Sequence, residues 1–282
     1  MIKTIQGVKD KLKIIAKEKN IDFNSVMRFY MYDRFIERLS KSKYKDNFIL
    51  KGGFYLSTLF GIDNRSTMDI DTAIRNASFT YDNILKMIEE IIQIDTDDNV
   101  ILKIEKTETI REEDEYGGLR ITLKFQLEKY NSSFHIDIAT GDPIHPSPNN
   151  YGYFSLIDNN EYRVWTYSIE TIIAEKIETI FSKLETSSRM KDYYDIYLIY
   201  SNEFKNLNIN SLRKAVEKTF KKRGFNSDLI KCLNIVRSSE ILQMYWYGYS
   251  KKNKFVRDIS FEDTIKCLEK FVDIIIPTSI IN

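Results

Sequence analysis

The chain has 282 residues, 43% hydrophobic and 29% charged with only 10 Gly and 4 Pro, which excludes disordered, collagenous and low-complexity classes and allows roughly two domains of about 150 residues. Its formal net charge of +1 conceals an asymmetry: residues 201–282 carry 15 Lys and Arg against 9 Asp and Glu, a net of +6, leaving −5 for residues 1–200. Two cysteines and two histidines exclude a disulfide framework, a CxxC clamp and a histidine-built zinc hydrolase, so any metal would be held by carboxylates.

The N-terminus scatters lysines among isolated apolar residues and lacks the apolar run of a signal peptide, and no stretch approaches a membrane span; a cytoplasmic protein is expected. Val8, Leu12, Ile15 and Ala16 recur with helical period, as do Val26, Phe29, Tyr30 and Phe35 after a capping Asp22 or Asn24. FILKGG reads as a short buried strand, Phe48 to Leu50, stopped by Gly52 and Gly53, which open a helix running to Gly61. MDIDTAI then reads as a strand presenting Asp69 and Asp71 on one face. A helix over 82–94 precedes three strands, 100–107, 119–127 and 133–139, with the charged EEDEYGG as the tip of the first hairpin. GDPIHPSPNN is a loop by composition, and short aromatic strands follow around Tyr153 and Val164. From Ser168 the period is 3.6 throughout, with helices through 169–180, 193–200, 212–220, 229–245 and 264–275. The expected division is therefore a core with N-terminal helices over 1–167 and a helical domain over 168–282.

KGGFYLSTLFGIDNRSTMDID, residues 51–71, is the strongest chemical signal. Two glycines let backbone N–H groups at a helix N-terminus approach a phosphate, and two carboxylates at i, i+2 can hold hard divalent cations that bridge triphosphate oxygens. Most bare DID pairs are solvated strand edges; the upstream Gly-Gly helix start favours the metal reading here. In FHIDI, Asp137 sits in an otherwise apolar strand, either as a third carboxylate for a two-metal site or as one half of a structural salt bridge.

On these residues the chain resembles the AbiEii toxin family of nucleotidyltransferases, within the DNA polymerase beta superfamily. LKGG with its helix, NRSTMDID, TIIAEKIETI at 171–180 and SRMKDYYDIYLI at 188–199 carry the resemblance, which covers most of 48–200. It implies an α/β fold, a polymerase-beta-like core with a mixed sheet followed by an all-helical C-terminal domain. It also implies NMP transfer from an NTP to an acceptor hydroxyl with Mg2+. Under it Gly52 and Gly53 match the phosphate loop, Asp69 and Asp71 the metal pair completed by Asp137, Lys176 the lysine of the later helix and Asp192 the carboxylate of the KDxxD motif; Arg65, Ser66 and Asp195 join the nucleotide-binding set. Polymerase-beta-like enzymes often place serine after the first glycine, where this chain has Gly53, and fifteen residues separate Gly53 from Asp69. The expected partners are an NTP, tRNA as acceptor through its 3′ end, and an antitoxin encoded nearby that need not touch the toxin, in phage abortive infection. An inert nucleic-acid-binding protein of the same fold, or a transferase acting on a small molecule or a protein, stays open.

Other readings compete locally. Lys176 either snorkels to solvent or reaches a phosphate. Asp192 and Asp195 share a helix face, with the structural alternative that Asp192 caps the helix while Asp195 pairs with Arg189. Lys221, Lys222 and Arg223 are either an RNA-docking cluster or a solvated helix C-terminus stopped by Gly224. The aromatic runs YYDIYLIY and MYWYGY are expected in the core, and Cys232 and Cys267 are expected to be buried and inert.

Overall fold

The computed structural model describes residues 3–110 and 117–276, so the tip of the EEDEYGG hairpin lies largely outside the described residues. The chain divides into two units, Met1–Gly141 with Pro148–Tyr167, and Asp142–Ser147 with Ser168–Asn282. Among the described residues no helix is long and apolar enough to cross a membrane.

The first unit is built on a seven-stranded mixed sheet, β1 (Phe48–Leu50), β2 (Ile70–Ile74), β3 (Val100–Ile110), β4 (Gly118–Leu127), β5 (Tyr130–Ala139), β6 (Asn149–Phe154) and β7 (Glu161–Thr166), in the order β3-β4-β5-β2-β1-β7-β6. β2 runs parallel to β5 and β1 parallel to β7; the other neighbours are antiparallel. β4 alternates as its sequence predicts, with Leu119, Ile121, Leu123, Phe125 and Leu127 all buried. α1 (Ile5–Glu18), α2 (Phe23–Lys41), α3 (Gly52–Phe60) and α4 (Tyr81–Ile92) complete the unit. β2 begins at Ile70, one residue later than a strand that would include Asp69; that residue lies in the bend leading into it.

α2 departs from a one-faced amphipathic helix, because nearly every residue from Val26 to Leu39 is buried, Asp33, Arg34, Glu37 and Arg38 included. Burial of charge demands partners. Arg38 grips Asp98 through two 2.9 Å bonds and donates to the Val100 carbonyl, and Arg34 donates to Glu37 at 3.0 Å. Asp33 accepts bonds from the Tyr153 hydroxyl, from Ser155 Oγ at 3.0 Å and from the Leu156 N–H at 2.7 Å. The network thereby ties α2 to the β6–β7 hairpin.

Burial outweighs these bonds and the nearby Arg34, and pushes the Asp33 carboxyl up to about 7. The folded state then binds a proton that the unfolded state has released, so this group's contribution to stability falls as pH rises from about 4 to about 7 and is flat above. Chemical denaturation of Asp33→Asn beside the parent across that range should reveal the dependence: the parent's advantage shrinks toward pH 7, by up to about 4 kcal/mol. A constant difference would mean that Asp33 stays ionised throughout.

The second unit is helical: α5 (Ile169–Lys183), α6 (Met190–Glu203), α7 (Ile209–Lys222), α8 (Leu229–Ser238), α9 (Glu240–Lys252) and α10 (Phe261–Ile275). The single helix expected over 229–245 is two, because Ser239 adopts extended backbone and caps α9 by accepting from the Leu242 N–H at 3.2 Å. Tyr193, Tyr194 and Trp246 are core residues and both cysteines are buried, but Tyr247 is 61% exposed, so MYWYGY is only partly a core run.

Candidate active site

β1 is followed directly by Lys51, whose extended backbone precedes the first turn of α3 without a side-chain cap. The first N–H groups of a helix have no intrahelical acceptor and carry the positive end of the macrodipole. Gly52 and Gly53 occupy this turn. A Cβ built on Gly53 would lie 3.2 Å from Asp71 Oδ2 and 3.3 Å from Thr67 Oγ1. Glycine suits this close approach: without a Cβ it lets the β2 carboxylate settle against the helix start. The Lys51 N–H fixes the same junction by donating to the Asp71 carbonyl at 2.8 Å.

Register brings the remaining groups in. Asp71 is the direct partner of Asp137 across the parallel β2–β5 pair, and Asp137 is the direct partner of Arg120 across β4–β5. Directly paired residues project to the same face. Arg120 donates from Nε to Asp137 Oδ1 at 2.7 Å and from Nη2 to Oδ2 at 2.6 Å. The bond to Asp137, reinforced by the fields of Asp137, Asp69 and Asp71, raises the guanidinium pKa further, so all three carboxylates act on one cation. Arg120 is the site residue that sequence reasoning missed.

Among the described residues no group of three or more His, Cys, Asp or Glu is arranged to hold an ion, and both Asp137 oxygens accept from Arg120, so Asp137 is ion-paired here. Asp71 beside the Gly53 cradle, with Asp69 two residues before it, offers the hard oxygen donors that Mg2+ prefers and thus fits that ion. Arg65 is buried and donates from Nη1 to the carbonyl of Ser66, within its own loop.

The other predicted site residues lie in the second unit. Lys176 on α5 bonds Asp192 Oδ1 at 2.8 Å and Asp195 Oδ2 at 2.6 Å, with both aspartate side chains buried on α6. Arg189 pairs with Asp192 Oδ2 at 2.9 Å. Lys176 does not snorkel: its side chain is 11% exposed. Despite desolvation, Lys176 and Arg189 hold the Asp192 carboxyl well below the usual carboxylate range. Arg223 leaves the basic cluster, since its guanidinium meets Glu178 at 2.8 Å, Glu175 at 3.2 Å and Asp142 at 3.4 Å. Lys221 and Lys222 stay exposed beside Gly224, whose φ of +65° ends α7.

Gly53→Ala should act locally. Its methyl would have to displace the Asp71 carboxylate or Thr67 by a few tenths of an ångström, and a misplaced ligand weakens a metal site built for hard donors. The expected result is at least about a tenfold loss of Mn2+ affinity with an unchanged unfolding midpoint. Calorimetric titration checks it; wild-type affinity would remove Gly53 from the site.

A family model described as "Nucleotidyl transferase AbiEii toxin, Type IV TA system" matches residues 34–266. Among solved structures, a nucleotidyltransferase of provisional assignment from H. pylori aligns with TM-score 0.50 and 16% identity, covering 90% of this chain and 96% of that one. JHP933 from Helicobacter pylori aligns with TM-score 0.45 and 15% identity, covering 84% and 97%. No curated protein sequence matches the chain.

Proposed function

The chain belongs to the AbiEii family of nucleotidyl transferase toxins of type IV toxin-antitoxin systems, and on that premise we propose that it transfers NMP from an NTP to the 3′-terminal hydroxyl of tRNA, blocking translation in phage abortive infection. The observation that carries this reading is the placement of Asp71 against Gly53 at the start of α3, in one register row with Asp137 and Arg120. The α/β fold, with its mixed sheet and nucleotidyltransferase neighbour, is consistent with it.

Asp69 and Asp71 would hold Mg2+, which supplies charge neutralisation for the triphosphate and for the transferring phosphoryl group. The first turn of α3 receives phosphate oxygens on its N–H groups, aided by the macrodipole. Arg120 adds a guanidinium with the planar fork that phosphate matches. Arg65 and Ser66 precede the Asp69–Asp71 pair, and within the second unit Lys176 is oriented by Asp192 and Asp195. The acceptor oxygen bonds to the α-phosphorus, the bond to pyrophosphate breaks, and the hydroxyl proton leaves to solvent. A cytoplasmic location and a neutralising antitoxin complete the proposal.

Lys221 and Lys222 are exposed at the end of α7, and exposed lysines can reach phosphates, which supports RNA as the acceptor. The test is incubation of the full chain with total tRNA and each labelled NTP in turn, with and without Mg2+. Label at the tRNA 3′ end, dependent on the ion, is the expected result. RNA binding without label would favour an inert binding protein, and label on a small molecule or a protein alone would move the acceptor to that class.

A further inference from the structure

Arg120 and Asp137 form the most complete ion pair in the first unit's carboxylate row. The guanidinium uses Nε and Nη2 together on one carboxylate, the bidentate geometry that makes such pairs strong and specific. A divalent ion taking either Asp137 oxygen would have to break this fork and would stand beside a like charge. Yet the clasp is not locked. The Arg120 side chain is 35% exposed against 14% for Asp137, so the cation has room to move while the anion does not. Asp137 is fixed by strand pairing on both sides, to Asp71 on β2 and to Arg120 on β4.

We propose that Arg120 is a substrate-released clasp: it holds Asp137 away from a second divalent ion until an incoming triphosphate takes over the guanidinium, so that nucleotide binding precedes filling of that metal position. The inference rests on the reading of Asp69 and Asp71 as metal ligands. Its physical basis is the balance of charge. Without nucleotide, the neighbouring carboxylates repel one another and Arg120 is the cation that relieves the row. A triphosphate brings a denser anion with oxygens that fit the same fork, and the Arg–phosphate bonds replace the Arg–carboxylate bonds one for one. Asp137 is then an uncommitted carboxylate beside Asp71, where a hard cation replaces the departed guanidinium. Arg120 is in this account a positioning residue: it controls when the third carboxylate becomes available.

The experiment is Mn2+ titration of the full chain, followed by the electron paramagnetic resonance of the free ion, with and without a non-hydrolysable NTP analogue. Without nucleotide, Arg120→Gln should bind the second ion at least about tenfold tighter than the parent, with Arg120→Lys, which keeps charge but loses the fork, in between. With the analogue present, parent and Arg120→Gln should agree to within about threefold, because the guanidinium has already left Asp137. Equal nucleotide-free binding by parent and Arg120→Gln, or a difference that persists undiminished with the analogue, would overturn the clasp and leave the pair as a permanent strut. Should Arg120→Gln fail to fold by circular dichroism, Arg120→Lys carries the same comparison. Asp71→Asn is the control on the underlying reading: if it binds Mn2+ as the parent does, the metal assignment itself fails, whereas loss of the first ion in Asp71→Asn with no effect at Arg120 sinks the clasp alone.

Discussion

Asp71→Asn and Asp69→Asn are each expected to lose nucleotidyl transfer by about a thousandfold or more while keeping the parent's unfolding midpoint within a few degrees. A thousandfold corresponds to about 4 kcal/mol of transition-state stabilisation, the scale on which removal of a preorganised electrostatic group acts. The amide keeps the shape that fits against Gly53 but gives up the charge, so the cradle stays filled and only the electrostatics change. Strand pairing does not depend on either side chain: β2 meets β1 and β5 through Ile70 to Ile74, and Asp69 precedes the strand. Transfer of labelled nucleotide and thermal unfolding on the same preparations check both halves. Rates within tenfold of the parent would mean that the pair is a solvated strand edge, the alternative that the bare DID always carried.

Much of this site is legible in the sequence because its signals are local. The Gly-Gly helix start, the alternation through Asp71 and the i, i+3 spacing of Asp192 and Asp195 each follow from backbone geometry within a few residues. What is not legible is which strands become neighbours. Period two assigns Asp71 and Asp137 to faces of their own strands, but only the parallel β2–β5 register makes them partners, and that pairing joins segments 66 residues apart. Arg120 was hidden for a related reason: with Thr122, Lys124 and Gln126 it falls on the polar side of an alternating strand, which reads as solvated. A signal did exist, since an aspartate within FHIDI demands a compensating partner, and the polar positions of an adjacent antiparallel strand are where one would stand.

The same logic explains α2 and Arg223. Asp33, Arg34, Glu37 and Arg38 stand between the apolar positions of α2, and Asp98 and the β6–β7 hairpin cover them. Arg223 reads as one of three adjacent cations; its long side chain instead reaches three acids contributed by Asp142 and α5. In both cases the deciding partner is distant in sequence, so no local pattern could announce it. Lys176 lies between these extremes, because its helix and the facing aspartates are each readable and only their pairing is not.

Lys176→Met is expected to lower both stability and activity, and the two losses separate by pH and temperature. The lysine ammonium lies between Asp192 and Asp195, whose side chains are 4% and 0% exposed. Replacing it with an apolar residue of similar length leaves two buried carboxylates close together on one face of α6, with the Arg189 bond to Asp192 still in place. Breaking a buried ion pair from one side costs about 3–5 kcal/mol. The sign with pH follows from the depressed pKa of Asp192: its stabilising contribution is present above the ordinary carboxylate range and is lost as pH falls through that range and below. The deficit of Lys176→Met should therefore be full at neutral pH and shrink as pH falls through the ordinary carboxylate range near about 4 and below, where protonation removes the charge that the lysine stabilises. Denaturant titrations of parent and variant from about pH 7 down to about pH 2 measure this directly; an equal or growing deficit at low pH would place the lysine's role outside the pair. Transfer assayed well below the variant's midpoint then isolates the chemical part. If Lys176 also meets the nucleotide, turnover per folded molecule falls by at least about tenfold, some 1.4 kcal/mol of transition-state stabilisation. Full turnover at that temperature would make Lys176 a structural cation alone.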